Sequence, residues 1–144
     1  MSKKPDATVL AFDFGTRRIG VAMGNTLTCV AHPLVTIDAP PTDARFTAIA
    51  ALIAEWRPAQ LVVGLPVHAD GTPHAMTARA KTFARALEAR FALPVALVDE
   101  RFTTQAAESA LATAGRGGRA ARAARDEAAA QIILQQWLDD AHDR

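Results

Sequence analysis

Val9-Leu10-Ala11-Phe12-Asp13-Phe14-Gly15, followed at once by Thr16-Arg17-Arg18-Ile19-Gly20-Val21-Ala22-Met23, is the stretch on which the reading of this chain turns. The first run is an apolar strand that stops at Gly15. The second resumes after Thr16-Arg17-Arg18, a spacing typical of a hairpin. Asp13 is the anomaly in it. Side chains alternate across a strand, so Asp13 points with Val9 and Ala11 to the face opposite both phenylalanines. Strands are depleted in Asp, and a carboxylate amid a buried run needs a partner. Amides of the turn Gly15 to Arg18 are the bland way to satisfy it; a functional role is the other.

Outward from this hairpin, Cys29 to Ile37 reads as a third strand, made irregular and pushed to an edge by Pro33, which lacks a ladder donor. Phe46, Ile49, Ala50, Ile53 and Trp56 share one face of a helix over 43–56, stopped by Pro58. Leu61 to Pro66 is wholly apolar apart from Gly64, as expected of a strand buried on both faces. Met76, Ala80, Phe83, Leu87 and Phe91 recur at helical spacing, and Pro94 to Val98 is a fifth strand running into Asp99-Glu100-Arg101. Thr103-Thr104 can cap a helix through about Ala114; Gly115, Gly117 and Gly118 interrupt it, and a last helix covers about Arg119 to Asp140. A meander followed by strand–helix crossovers implies an α/β protein whose mixed sheet is flanked by helices. The domain expected spans 9–140, between a polar tail at 1–8 and a short tail at 141–144.

Two further acids stand out. On the last helix Asp126, Ala130, Ile133 and Trp137 fall on one stripe, so Asp126 faces the sheet. A carboxylate in early helical turns complements the helix dipole, but that does not explain its place on the apolar stripe. Asp99 and Glu100 close the fifth strand, and ligands of open α/β sheets collect outside the carboxyl ends of strands. A surface ion pair there would be worth little. Gathered at one rim, carboxylates repel unless a cation sits among them, and hard oxygen donors suit Mg²⁺ or Mn²⁺. Arg116, Arg119, Arg122 and Arg125 form a drifting basic stripe that leads to Asp126, Arg17 and Arg18 lie beside Asp13, and Arg101 adjoins Glu100. A solvated charge run is the usual meaning of such a stripe; convergence on the acids would instead bring a polyanion to the metals.

Composition narrows the classes. The chain has 144 residues, half of them apolar, and a net charge of +1, which fits one domain with a self-sufficient core. Its 13 arginines against 3 lysines favour forked phosphate contacts, although 33 alanines point to base composition as another cause. The single cysteine, Cys29, excludes an internal disulfide framework and makes a reduced, cytoplasmic setting the expectation. No signal-like start and no apolar stretch long enough for a bilayer is legible. His32, His68, His74 and His142 have no ligand spacing. No P-loop or Ser/His/Asp arrangement is present.

Ala11-Phe12-Asp13-Phe14-Gly15 with Arg18-Ile19-Gly20-Val21-Ala22 resembles the first motif of the YqgF/RuvX family. Val62-Val63-Gly64-Leu65-Pro66 with Asp70-Gly71, Val98-Asp99-Glu100-Arg101 with Thr103-Thr104, and Asp126-Glu127-Ala128-Ala129 before Ile132-Ile133-Leu134 resemble its remaining motifs, in order. The resemblance implies a ribonuclease H-like fold with strand order 3-2-1-4-5, kinship with Holliday-junction resolvases, and cytoplasmic maturation of the 5′ end of pre-16S ribosomal RNA. It also implies Asp13, Glu100 and Asp126 as the acidic set. Related resolvases carry a second acid at the end of the fourth strand, where this chain has Gly64-Leu65-Pro66. In the implied order Glu100 stands two strands from Asp13, roughly 10 Å away at about 4.8 Å per strand. The longer side chain of Glu100 helps span that gap, which favours it over Asp99.

The leading expectation is a hydrolase of nucleic-acid phosphodiesters that uses two Mg²⁺ or Mn²⁺ ions held by Asp13, Glu100 and Asp126. Arg17, Arg18, Arg101, Arg116, Arg119, Arg122 and Arg125 are the expected nucleic-acid contacts, with pre-rRNA favoured over DNA junctions and no membrane partner. The chain would act as a monomer or a homodimer, the latter being needed for symmetric junction cleavage. Three rivals remain at this stage. They are a DNA junction resolvase, a non-catalytic RNA-binding module of ribosome assembly, and a nucleotide-phosphate sensor, for which the chain is too short to supply a second lobe.

Overall fold

The computed structural model describes residues 7–15, 17–38, 43–66, 75–99 and 118–142. Five strands, β1 (Thr8–Phe14), β2 (Arg18–Asn25), β3 (Val30–Asp38), β4 (Gln60–Leu65) and β5 (Val95–Asp99), form one sheet in the order β3-β2-β1-β4-β5. The β1–β2 and β2–β3 pairs are antiparallel, and β1–β4 and β4–β5 are parallel. This is the mixed sheet expected from a meander followed by crossovers. Among the described residues three helices cover it: α1 (Asp43–Trp56), α2 (Thr77–Phe91) and α3 (Gly118–His142). The helix expected over about 103–114 lies outside the described residues.

Strand alternation divides the core. Leu10 and Phe12 of β1 pack with Ile19, Val21, Leu61 and Val63 against Ile49 of α1 and Phe83 and Leu87 of α2. Phe83 meets the Phe12 ring edge-on and stacks on Phe14 at 4.8 Å between centroids. Val9, Ala11, Ala22, Val62 and Val98 pack on the other face against Ala130, Ile133, Leu134 and Leu138 of α3. Each fully buried Leu or Ile there is worth about 1.5–3 kcal/mol relative to exposure, so α3 is held chiefly by its apolar stripe.

Some boundaries differ from expectation. β1 begins at Thr8, because its carbonyl accepts from Ala59 and Thr8 pairs with Asn25. Cys29 is not in β3; it sits in the hairpin turn with φ 57°, its amide donating to Asn25. The last helix runs two residues past Asp140, to His142.

β3 is the edge strand that Pro33 suggested, and it carries an irregularity. Val35 pairs with Val21 but Pro33 pairs with Ala22, so Leu34 is an extra residue. The bulge changes facing parity. Ala31, buried under α3, and Thr36, bonded to α3, differ by an odd number of positions yet share one face. The unpaired edge is covered by glutamines of α3. Gln135 accepts from the Ala31 amide at 2.9 Å and donates to the Cys29 carbonyl at 2.8 Å, and Gln131 donates to the Ala31 carbonyl at 3.0 Å.

Candidate active site

The site grows from one transverse row of the sheet. Thr36 of β3 pairs with Gly20 of β2, and Gly20 pairs with Asp13 of β1. One step beyond the Phe12–Val63 pair, Gly64 of β4 stands level with Asp13, and Gly64 pairs with Val98 of β5. The half-buried carboxylate of Asp13 is therefore flanked by glycine on either side, on the α3 face. The chain carries no carboxylate at that place on β4.

Gly20 decides where α3 rests. A Cβ built there would overlap the carbonyl of Asp126 and lie 3.0 Å from the Asp126 Cβ. Only a residue with no side chain admits the helix backbone this closely. Thr36 fixes the same turn from the neighbouring strand, its hydroxyl 2.9 Å from the Ala123 carbonyl and 3.0 Å from a Glu127 carboxylate oxygen. Facing residues of antiparallel strands have Cα atoms about 4.5–5.5 Å apart, so the helix contact at Gly20 carries Asp126 to the immediate neighbourhood of Asp13. Two acids 113 positions apart in sequence are thus brought to the same end of one sheet face.

Arg18 completes the group. It precedes Gly20 by two positions in β2, and its Nε donates to Asp126 Oδ2 at 2.6 Å, with 32% of the Arg18 side chain and 19% of the Asp126 side chain exposed. The chain turns tightly just before it. A Cβ on Gly15 would come to 2.5 Å from the Arg18 carbonyl. Sequence reasoning placed Arg18 at phosphate and missed this pairing. Strand parity carried part of the signal, since Arg18 shares the face of Gly20 and Ala22, on which α3 rests.

The remaining expected residues are distributed as follows. Arg17 is exposed in the β1–β2 turn, and Arg122 is exposed one helical turn before Asp126. Arg125 is half-buried, its Nε enclosed without a hydrogen-bond partner among the described residues. Of Arg119 only the backbone, in the first turn of α3, is described. Glu100, Arg101 and Arg116 lie outside the described residues. Asp99 ends β5 level with Leu65, on the parity of Val95, which packs with the α1 and α2 core rather than with α3. Among the described residues no group of three or more His, Cys, Asp or Glu side chains gathers. Asp13 and Asp126 supply hard carboxylate oxygens in a partly exposed setting, a donor set that suits Mg²⁺ or Mn²⁺ better than softer ions.

A five-stranded mixed sheet in this order, with helices on both faces, defines a protein of ribonuclease H-like fold. Solved structures share the fold. Thermus thermophilus RuvC in complex with a Holliday junction substrate aligns with TM-score 0.55 at 16% identity over 94% of this chain and 96% of that one. Fowlpox virus resolvase in complex with Holliday junction DNA gives 0.59 at 8% identity over 93% and 98%. The chain belongs to the RuvX family, whose model, described as Holliday junction resolvase, matches residues 7–140.

Curated relatives are similar along nearly their whole length. That of Dechloromonas aromatica, named for pre-16S rRNA nuclease activity, is 56% identical over 94% of this chain and 92% of its own. That of Nitrosomonas europaea, with the same name, is 54% identical over 99% and 96%. The expectation of a nuclease, a hydrolase of ester bonds, is met at the level of the class. Among the described residues no helix is long and apolar enough to cross a membrane.

Proposed function

We propose that this chain is a divalent-metal-dependent nuclease that acts in the cytoplasm on the 5′ end of pre-16S ribosomal RNA. The observation that carries the reading is the seat of α3 on Gly20, which delivers Asp126 to the row of Asp13. The names of relatives more than half identical to this chain support the RNA substrate.

In this reading Asp13, Asp126 and Glu100 hold Mg²⁺ or Mn²⁺. Asp99 is the weaker candidate for the third place because its strand parity is that of Val95. When bound, the metal supplies an activated water and neutralises charge on the leaving oxygen. Asp13 sits on the central strand, whose Val9 to Phe12 are fully buried, so its carboxylate is held on a rigid support. Gly20 seats α3 beside it, so that the Asp126 carboxylate lies over the same end of the sheet. Arg17 and Arg122 hold the nucleic-acid backbone on either side by phosphate contacts, which position the strand without reading its sequence.

The description of the family model favours a second reading, a resolvase of DNA junctions. A cleavage panel separates the two. Wild-type protein with Mn²⁺ would be incubated with a pre-16S 5′ fragment, single-stranded RNA, duplexes and a four-way DNA junction. Cleavage of the rRNA fragment at its maturation site, with the junction left intact, is the expected result. Paired nicks in the junction alone would give the place to the second reading, and binding without cleavage of any substrate would leave a non-catalytic assembly module.

A further inference from the structure

The structure joins a cation of the chain to an acid assigned to the metal. The contact is built from three features. Strand parity puts Arg18 on the α3 face, Gly20 sets the height of Asp126, and Thr36 fixes the helical turn from the side. Among the described residues Arg18 spends only its Nε on one oxygen, Oδ2, and part of its side chain remains exposed. The rest of the guanidinium fork matches a phosphodiester better than any point charge does. Arg18 also stands level with Asp38 in the β2–β3 ladder.

We propose that Arg18 is a positioning residue that exchanges partners. In the free protein it holds Asp126, and when nucleic acid arrives it turns to a backbone phosphate and releases Asp126 to the divalent cation. A unit positive charge in contact with a carboxylate opposes the approach of a second cation to the same oxygens. A polyanion that withdraws the guanidinium removes the competitor. Cation loading and nucleic-acid binding are then linked through one side chain, and the linkage is reciprocal. This inference rests on the nuclease reading and adds the residue that makes cation binding depend on substrate.

The test measures Mn²⁺ affinity by electron paramagnetic resonance on the full chain, with and without a phosphorothioate RNA spanning the 5′ end of 16S rRNA. Wild type, Arg18→Gln and Arg18→Lys are compared after circular dichroism has checked their fold. Without RNA, Arg18→Gln should bind Mn²⁺ on the order of tenfold more tightly than wild type, as expected for removing one charge at a half-exposed site. RNA should tighten Mn²⁺ binding in wild type by a similar factor and leave Arg18→Gln nearly unchanged. Arg18→Lys keeps the charge but loses the fork, so it should bind Mn²⁺ weakly without RNA and show reduced coupling; it also serves if the glutamine variant fails to fold. Equal Mn²⁺ affinity in wild type and variants, or undiminished coupling in them, would overturn the role of Arg18 while leaving the nuclease reading intact. Failure of wild type to bind Mn²⁺ with or without RNA would overturn both.

Discussion

Arg18 and Asp126, 108 positions apart, form an ion pair through Nε and Oδ2 at 2.6 Å on the face of the sheet that also carries Asp13. A partly exposed pair of this kind is worth about 0–1 kcal/mol, so its importance is orientation rather than stability. It fixes which oxygen of Asp126 is engaged.

Asp13 is the acid on the buried central strand, and its loss should be the most damaging. Asp13→Asn keeps size and removes charge. Cleavage of the rRNA fragment should fall by about 10³-fold or more, equivalent to roughly 4 kcal/mol in the barrier. Nucleic-acid affinity, measured by fluorescence anisotropy, should stay within a few-fold of wild type. Wild-type turnover by the purified variant would remove Asp13 from the site.

Gly20→Ala tests the seat of the helix. The added methyl meets the Asp126 carbonyl, which is backbone and cannot swing aside. Overpacking of this kind costs about 1–3 kcal/mol, a fall in Tm of several degrees for a domain of this size. Cleavage should drop further than the loss of folded protein explains, because Asp126 is pushed away from Asp13. A variant with unchanged Tm and full activity would mean that the close approach does not set the site.

Gln135 should matter for the edge of the sheet and not for chemistry. It satisfies the Ala31 amide of β3 and the Cys29 carbonyl of the turn before it, and among the described residues β3 has no neighbouring strand on its outer side. Gln135→Ala should destabilise by about 1–3 kcal/mol through unsatisfied backbone groups and raise the tendency of this edge to pair with another chain. Thermal denaturation and light scattering read the two effects. Activity per folded molecule should be unaltered.

Arg122 lies exposed one turn ahead of Asp126. Arg122→Ala should weaken binding to unrelated RNA sequences to a similar degree and lower the slope of log affinity against log salt by about 1. A salt slope identical to that of wild type would place the bound backbone elsewhere.

Much of this architecture was legible along the chain because each element writes its own period. The apolar run of β1 with Asp13 displaced to the face of Val9 and Ala11, the stripe of Asp126, Ala130, Ile133 and Trp137, and the limits of α1 at Asp43 and Trp56 all follow from local alternation. Pro33 foretold an edge strand, though not the extra residue at Leu34. Period-two reading fails at a bulge, and so the sequence offered no reason to see Thr36 and Ala31 on one face. Arg18 was legible as a basic residue beside the first acid, but its partner was not. A guanidinium reads the same whether it faces phosphate or carboxylate.

What the chain determined by itself is the period of each described element and the face it presents, since these depend on contacts between near neighbours in sequence. Only the tertiary structure decided that Asp126 rests on Gly20, that Thr36 pins the turn beside it, and that Arg18 is spent on Asp126. Those relations depend on the height at which a helix settles on a sheet. That height is set by the absence of one side chain on a distant strand, a condition no local period records.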